Sequence, residues 1–184
     1  TNSRYTWERF LQHQPGLAHR QHVVVPLGLG EPVREMVPAP FAPSQMLMLS
    51  RLSAREDYKG HREMIAAWGQ VRQQVPGARL VIAGDGDLRP TLEALVSQHA
   101  LADAVHFTGR VPEAEKQQLL RDSCALAMPS RNEGFGLVYL EAMRLGRPCL
   151  VSSEDAGREV VNPPEAGLAA DLGDSAALAQ ASAR

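Results

Sequence analysis

Short apolar runs alternate with longer amphipathic segments from residue 46 onward. Some of the short runs, such as residues 80–83, are apolar at every position. A strand of that kind is buried on both faces, which is typical of a parallel sheet covered by helices on both sides. The amphipathic segments carry apolar residues at helical spacing, as Met64, Ile65, Trp68 and Val71 do. The sequence therefore predicts an α/β fold with a doubly wound, Rossmann-like parallel sheet.

The predicted elements follow this alternation. Strands are predicted at residues 46–49, 79–83, 105–107, 125–128 and 149–151. Helices are predicted between them at residues 60–74, 88–99, 113–122 and 136–145. The tail at residues 166–184 is rich in alanine, which favours a helix there.

The first 45 residues do not share the alternation. They contain a predicted helix at residues 6–12 and a predicted short strand at residues 23–25, and the stretch from Pro26 to Pro43 inclusive contains five prolines. Prolines at this density interrupt regular structure. We predict that residues 1–45 form a linker or domain junction and that residues 46–184 form the globular domain. Since the chain begins at Thr1 and ends within a predicted helix, we expect it to be a fragment.

The charge balance argues against a polyanionic partner. The chain has 19 basic and 21 acidic residues and a formal net charge of -2. No uniform field therefore draws it to nucleic acid or to an anionic membrane. Any phosphate must be bound by a local cluster of charge.

Features of targeting and of disulfide chemistry are missing from the sequence. The polar opening has no signal-peptide core, and no stretch reaches the roughly 20 apolar residues of a membrane span. We therefore expect a cytoplasmic location. Cys124 and Cys149 have no partner at zinc-like spacing and lie in apolar runs, so we expect buried, reduced thiols.

Ligands of doubly wound sheets bind beyond the carboxyl ends of the strands. Four loops of the predicted fold lie there, and the unusual residues of the chain are in them. These loops are residues 50–60, 84–87, 109–110 and 129–136. We therefore expect the four loops to converge on one site.

The segment 129–146 runs from a strand end through a glycine-bearing turn into a helix. Gly134 and Gly136 let the backbone approach a ligand closely. The first helical amides beyond Phe135 are unpaired donors at the positive end of the helix dipole, so they can hold a diphosphate. Glu133 stands before the helix and Glu141 about one turn inside it. The two carboxylates can therefore contact different parts of one extended ligand.

The stretch NEGFGLVYLEAM at residues 132–143 resembles the Glu-x7-Glu motif of glycosyltransferase family 4, a retaining family with the GT-B fold. Further features fall in the family's order. They are RLSAREDYKG at residues 51–60, the turns at 84–86 and 107–109, and GRP at 146–148. The resemblance extends from about Met46 to Leu168. It identifies the chain as the C-terminal, donor-binding half of such an enzyme.

The resemblance implies a role for each candidate residue. Arg51 and Lys59 would grip the diphosphate of the nucleotide-sugar donor. Glu133 would contact the transferred sugar, and Glu141 would accept hydrogen bonds from the ribose hydroxyls. The remaining contacts would come from the amides of Phe135, Gly136 and Leu137 to the diphosphate, and from Arg110 and Val111 beside the base.

The chemistry of such a donor agrees with these roles. A nucleoside diphosphate is a good leaving group, so an enzyme must stabilise its growing charge rather than protonate it. Arg51, Lys59 and the helix amino end supply positive charge, and charge-assisted hydrogen bonds are worth about twice neutral ones. We therefore predict no metal and no cofactor besides the nucleotide sugar, which is a substrate. The resemblance also implies that the leaving diphosphate helps to deprotonate the acceptor hydroxyl, so no side-chain base is named.

Other functions fit parts of the same pattern. Paired carboxylates also suit a glycoside hydrolase, but the diphosphate-binding features would then have no purpose. A GT-B-fold nucleotide-sugar epimerase would release epimerised sugar without an acceptor. A noncatalytic nucleotide- or phosphate-binding module is a third possibility, and the intact acidic and basic candidates argue against it.

Several residues near the motifs are assigned to structure instead. The stretch 84–89 begins like a dinucleotide fingerprint, but Arg89 takes the place of the third glycine, so a tight turn is predicted. His61, His99 and His106 have no metal-like spacing and are predicted at the surface or at helix ends. By the family's pattern, Arg158 and Glu159 are further candidates for the cleft.

The resemblance, together with the chemistry of the donor, implies a retaining, metal-independent hexosyltransferase. Residues 50–68 are reminiscent of bacterial transferases that build polysaccharides on lipid carriers. The expected donor is therefore GDP-mannose, and the expected transferred sugar is mannose. A saccharide or lipid-linked acceptor would bind to an N-terminal half that this chain lacks. We therefore expect the isolated chain to bind nucleotide weakly and to transfer nothing. A lipid-linked acceptor would bring the full protein to the inner face of the cytoplasmic membrane as a peripheral protein.

Overall fold

The computed structural model describes residues 1–30 and 42–183, and its centre is a six-stranded parallel sheet. The strands are β1 (Ala42–Leu49), β2 (Arg79–Ala83), β3 (Val105–Gly109), β4 (Ser123–Ala127), β5 (Cys149–Ser152) and β6 (Gly167–Ala170). The α-helices are α1 (Arg4–His13), α2 (His61–Gln74), α3 (Arg89–Gln98), α4 (Glu113–Asp122), α5 (Leu137–Arg144), α6 (Gly157–Val161) and α7 (Ser175–Ser182). Short 3-10 helices occur at Pro15–Leu17 and Ala54–Glu56.

The strand order is β3-β2-β1-β4-β5-β6, so the direction of winding reverses between β1 and β4. Leu47 of β1 pairs with Val81 of β2 on one side and with Leu126 of β4 on the other. α2 packs against both α3 and α7. Right-handed crossovers place α4, α5 and α6 on the opposite face. The sheet is therefore doubly wound, as predicted, and ligands of such sheets bind at the point of reversal.

The hydrophobic core fills the space between the sheet and its two helix layers. Its largest buried side chains include Trp68 of α2 and Tyr139 of α5. Trp68 Nε1 donates a hydrogen bond to the Ala78 carbonyl at 3.4 Å, and the Tyr139 hydroxyl donates one to the Met128 carbonyl at 2.8 Å. Each ring thus buries its apolar body and still satisfies its polar atom.

Both cysteines are free thiols that belong to the packed interior. Burial raises the pKa of the Cys149 thiol to about 12 and also raises the pKa of Cys124. Both thiols therefore stay protonated near neutral pH and pack as small apolar groups. Together with Trp68 they line a mostly apolar cavity of about 350 Å³ near the amino ends of the strands.

The predicted strands and helices from residue 46 to residue 151 are all present, with shifted ends. The largest shift is at β1, which begins at Ala42 because its pairing with β4 extends to Ala42 and Ser123. The sheet therefore reaches into the segment predicted as linker, ahead of residue 46. The helix predicted at residues 6–12 is confirmed as α1, whose N-cap Ser3 accepts a hydrogen bond from the Thr6 amide.

The strand predicted at residues 23–25 is wrong. Val23 and Val25 are exposed and belong to no strand. Their backbone is tied to the chain start instead, since the Val25 amide donates to the Thr1 carbonyl at 2.8 Å and the Thr1 amine donates to the Val23 carbonyl at 3.0 Å. Of the proline-rich segment 26–43, residues 31–41 lie outside the described residues.

The tail is a strand followed by a helix, whereas alanine content had favoured helix throughout. β6 pairs in parallel register with β5, beginning with Cys149 and Gly167. Pairing with an existing strand outweighs the helix propensity of these small residues. The helix begins later, at α7, where the Asp174 carboxylate accepts hydrogen bonds from the Ala176 and Ala177 amides.

Candidate functional site

The loops that follow the parallel strands meet at the carboxyl edge of the sheet, as predicted. The Gly84 amide donates a hydrogen bond to the Gly109 carbonyl at 2.9 Å, which joins the loops after β2 and β3. The Arg131 amide donates one to the Tyr58 carbonyl at 3.0 Å, which joins the loop after β4 to the loop after β1. The loops on both sides of the winding reversal thus form one surface.

The turn into α5 requires glycine at position 136. Gly136 is the N-cap of α5 and has a φ of 83°, in the left-handed region. A Cβ there would lie 2.3 Å from Tyr139 Cε2. The Tyr139 amide donates a hydrogen bond to the Gly136 carbonyl at 3.0 Å, and the amides of residues 137 and 138 before it are the first of α5. In a helix these amides have no intrahelical acceptor, so they are available to an anion.

The predicted phosphate-binding residue Lys59 contacts the predicted sugar-binding residue Glu133. Lys59 Nζ lies 3.7 Å from Glu133 Oε2 and 3.8 Å from Glu56 Oε2. Arg51 Nη2 donates a hydrogen bond to Glu56 Oε1. The Lys59 side chain is only 16% exposed, whereas that of Arg51 is 79% exposed. The structure thus brings the three predicted residues together, with Glu56 between the two cations.

The second predicted carboxylate, Glu141, has a cation partner that sequence reasoning missed. Lys116 Nζ of α4 lies 3.0 Å from Glu141 Oε2 and 2.9 Å from Glu113 Oε2. Burial opposes the charged form of Lys116, but its hydrogen bonds to Glu113 and Glu141 and the negative charges of these two carboxylates together outweigh burial and raise its pKa. Lys116 therefore carries a full positive charge at neutral pH. A sequence signal for Lys116 was available, because it lies near the start of a predicted helix that follows the Gly109–Arg110 loop.

A cavity of about 770 Å³ opens beside these ion pairs. Arg51, Arg110, Val111 and Lys116 are among its lining residues, together with the strand ends at Leu49 and Ala83. Two sequence-predicted base contacts and one predicted phosphate contact therefore share a single cavity. Lys59, Glu133 and Glu141 do not line the cavity. Glu141 contacts the lining residue Lys116 directly, and Lys59 is linked to the lining residue Arg51 through Glu56. Glu133 contacts Lys59.

Asp155 holds the loop that carries Glu133. The Asp155 side chain is almost fully buried, and its Oδ2 accepts hydrogen bonds from the Ser130 hydroxyl at 2.7 Å and the Glu133 amide at 3.1 Å. Burial raises the pKa of Asp155 even though these hydrogen bonds oppose the shift. Nothing in the local sequence pattern distinguishes Asp155 from its exposed neighbour Glu154. Its role is visible only once β5 and the loop after β4 are placed side by side.

The amino end of α1 is docked on the same loop. Glu159 accepts hydrogen bonds from the amides of Arg4 at 2.9 Å and Tyr5 at 2.7 Å. The Ser3 hydroxyl donates to the Gly134 carbonyl at 2.8 Å. Glu159 had been a candidate for the cleft, but its carboxylate caps a helix instead.

His61 lies at a helix end, as predicted, and it is buried there. It is the first residue of α2, and its Nε2 lies 3.1 Å from Ser50 Oγ. Burial, followed by the nearby Lys59 charge, lowers the pKa of His61 to about 4. The ring is therefore neutral at physiological pH and supports the turn that carries Lys59.

Two acidic residues of the loop after β2 are hydrogen-bonded to loop backbone. The sequence contains an Asp-x-Asp arrangement, Asp85 and Asp87, that the prediction of a metal-free site had overlooked. Asp87 Oδ1 accepts a hydrogen bond from the Ala54 amide at 2.8 Å, and Asp85 Oδ1 accepts one from the Gly86 amide at 2.9 Å. Both carboxylates therefore bind loop backbone. Within residues 1–30 and 42–183, no group of three or more His, Cys, Asp and Glu side chains is placed to hold a metal ion.

The described part of the chain also contains no helix that is both long and apolar enough to cross a membrane.

Comparison with known proteins gives one family. The family described as glycosyl transferases group 1 matches residues 43–184. Glycogen synthase from Mycobacterium tuberculosis is 34% identical over 139 residues, which cover 76% of this chain and 33% of that protein. A GDP-mannose-dependent alpha-(1-6)-phosphatidylinositol monomannoside mannosyltransferase from Mycolicibacterium smegmatis is 30% identical over 198 residues, covering 97% of this chain and 50% of that protein. The chain thus spans a third to a half of the length of these relatives.

A solved structure agrees with this relationship. Anabaena HepE in complex with UDP and glucose matches with a TM-score of 0.65 and 27% identity, over 74% of this chain and 37% of that one. The family match covers all six strands except the first residue of β1, Ala42, and it covers every loop of the candidate site. The chain therefore belongs to the glycosyl transferases group 1 family and has the fold of the C-terminal, Rossmann-like half of a GT-B glycosyltransferase.

Proposed function

We propose that this chain is the donor-binding half of a retaining, metal-independent hexosyltransferase. The observation that carries the proposal is the contact of Lys59 with Glu133 at 3.7 Å, beside a cavity that Arg51, Arg110 and Lys116 line. Cations and carboxylates alternate along the carboxyl edge of the sheet, as an extended ligand with a diphosphate and sugar hydroxyls requires. A purely structural edge would not need three cations around one open cavity.

Each part of a nucleotide sugar has a matching group in this arrangement. Arg51, Lys59 and the amides of residues 135–137 bind the diphosphate and stabilise the charge that grows as the glycosidic bond breaks. Glu133 accepts hydrogen bonds from the sugar. Glu141, oriented by Lys116, accepts hydrogen bonds from the ribose hydroxyls. The base lies in the cavity beside Arg110 and Val111.

The nucleotide and sugar of the donor are proposed as GDP and mannose. The support is the relative named as a GDP-mannose-dependent mannosyltransferase, which aligns with 97% of this chain. The relative named as a glycogen synthase and the HepE structure with UDP and glucose make a UDP-glucose donor the second candidate. The chemistry of the diphosphate site is the same for both donors.

The acceptor is proposed to be a saccharide or a lipid-linked saccharide, bound by a partner half in the full-length protein. Transfer would then take place in the cleft between the halves, in the cytoplasm or at the inner face of the cytoplasmic membrane. The isolated chain is expected to bind nucleotide weakly and to transfer no sugar. A turnover assay in which this chain alone transfers sugar would contradict that expectation.

Calorimetric titration with GDP, UDP and ADP tests the donor site. We expect binding that favours one base. In Glu141→Ala we expect the affinity to fall about tenfold or more, equivalent to about 1.4 kcal/mol, because the ribose hydroxyls lose their proposed acceptor. The matched control is Asp103→Ala, which breaks an ion pair with Arg72 on the surface. Binding that Glu141→Ala leaves unchanged, or no binding of any nucleotide, would contradict the proposed site.

A further inference from the structure

Glu56 lies between the two cations that are proposed to hold the donor diphosphate. Its Oε1 accepts a hydrogen bond from Arg51 Nη2, and its Oε2 lies 3.8 Å from Lys59 Nζ. Lys59 Nζ also lies 3.7 Å from Glu133 Oε2. A protein carboxylate is therefore already paired with the two cations that a bound diphosphate would need.

The surroundings of Glu56 strengthen its pairing with Lys59 and Arg51 but still allow a ligand to take its place. The side chains of Glu56 and Lys59 are mostly buried, so their attraction is screened less than that of a surface pair. Glu56 Oε2 makes no hydrogen bond, so the ion pair with Lys59 is its main stabilising contact. Arg51 is largely exposed and can turn toward a ligand without breaking any packing.

We propose that Glu56 is an internal counter-anion that fills the diphosphate subsite when it is empty, and that the incoming diphosphate displaces it from Arg51 and Lys59. This inference rests on the proposed function. Before binding, the two cations face the carboxylates of Glu56 and Glu133. After binding, the diphosphate supplies the negative charge and Glu56 turns away. Glu56 therefore lowers the affinity for diphosphates and favours release of the nucleoside diphosphate product.

The test compares wild type with Glu56→Gln by titration with GDP, UDP, guanosine, uridine and inorganic pyrophosphate. Glutamine keeps the size of the side chain and an acceptor for Arg51, but it removes the competing charge. We expect Kd to fall about tenfold for the diphosphates and for pyrophosphate, which is about 1.4 kcal/mol. Kd for the nucleosides stays the same because they carry no phosphate. A residue with a merely structural role would change both classes alike.

The matched control is Glu63→Gln. Glu63 is about as exposed as Glu56, at 20% against 18%, and it pairs with Arg131 rather than with Arg51 or Lys59. Its substitution is expected to leave all affinities unchanged. Glu56→Asp keeps the charge but withdraws it by one methylene, so it gives an intermediate affinity and answers the question if Glu56→Gln does not fold.

The outcomes separate this inference from the proposed function. If wild type binds GDP or UDP and Glu56→Gln binds them no tighter, the role of Glu56 is overturned and the donor site stands. If pyrophosphate binding tightens but nucleotides bind no better than pyrophosphate, the role of Glu56 stands and the nucleotide-sugar function fails. If none of these anions binds to any variant, both are overturned.

Discussion

The backbone amide of Glu133 donates a hydrogen bond of 3.1 Å to the buried carboxylate of Asp155. The same carboxylate accepts hydrogen bonds from the Ser130 hydroxyl at 2.7 Å and from the Gly157 amide at 2.9 Å. Asp155 therefore joins the loop after β4 to the beginning of α6. The position of Glu133 depends on a residue that contacts its main chain and not its side chain.

Asp155→Ala leaves three donors without their acceptor in a buried position. We expect the free energy of unfolding to fall by about 1–3 kcal/mol, the usual cost of unsatisfied buried polar groups. Urea denaturation at neutral pH measures this loss. The adjacent exposed residue provides the control, since Glu154→Ala is expected to stay within about 0.5 kcal/mol of wild type. Equal stability of the two variants would contradict the role of Asp155.

His61 makes the stability of the fold depend on pH. Its pKa is lowered from 6.5 to about 4 by burial and by the Lys59 charge. The unfolded chain therefore takes up a proton at higher pH than the folded chain does. The contribution of His61 is fully present above pH 6.5 and is lost as the pH falls toward about 4, a total of about 3 kcal/mol.

Denaturation curves between pH 7 and pH 4 test this linkage. His61→Gln removes the titrating group, so its stability is expected to fall less steeply with pH than that of wild type. His99→Gln, at an exposed histidine, is expected to keep the wild-type slope. Parallel slopes for wild type and His61→Gln would show that another group carries the pH dependence.

Two glycine substitutions are expected to act in opposite directions. Gly136→Ala places a Cβ 2.3 Å from Tyr139 Cε2 at a φ of 83°, so we expect a loss of about 1–3 kcal/mol. Gly69→Ala, inside α2, meets no atom within 4 Å and is expected to add about 0.5–1 kcal/mol through helix propensity. Thermal unfolding of both variants distinguishes them. A stable Gly136→Ala variant would mean that the turn into α5 does not need a left-handed residue.

Lys116→Met tests whether the unpredicted cation belongs to the donor site. The change removes the partner of Glu141 and one positive charge from the cavity. We expect the affinity for the preferred nucleoside diphosphate to fall about tenfold, equivalent to about 1.4 kcal/mol. Arg72→Met, which breaks the surface pair with Asp103, serves as the control and should leave the affinity unchanged. Unchanged binding in Lys116→Met would remove Lys116 from the proposed site.

The main part of the fold was predictable because its strands carry strong local signals. β2 is buried along four of its five residues, and its apolar sequence fits only a position inside a covered sheet. β6 has no such signal. Gly167–Ala170 is a run of four small or apolar residues beside an alanine-rich helix, and only its pairing with β5 makes it a strand. A contact with a distant strand leaves no periodicity in the local sequence.

The same difference between local signals and distant contacts explains which residues of the candidate site were predicted. Glu133 and Glu141 were identified because both belong to one turn and helix, where their spacing resembles the Glu-x7-Glu motif. Their roles in ligand binding stay predictions. Lys116 and Asp155 were missed because each acts through a contact with a distant segment, Lys116 with Glu141 and Asp155 with the Glu133 amide. A single sequence does not encode such pairs as a local pattern.

The ion pairs at the carboxyl edge and the apolar core beneath it respond to different conditions. Lys59–Glu133 and Lys116–Glu141 join loops and helices from separate parts of the chain by charge, whereas β1 and β4 are held by backbone pairing and buried side chains. Salt screens exposed pairs such as Arg72–Asp103 most strongly, whereas the side chains of the two edge pairs are only 16–24% exposed and are screened less. Salt does not weaken the apolar packing of the sheet. The carboxyl edge therefore keeps much of its charge pairing at an ionic strength that removes surface pairs, so an anion that enters the cavity still has to compete with the protein's own carboxylates.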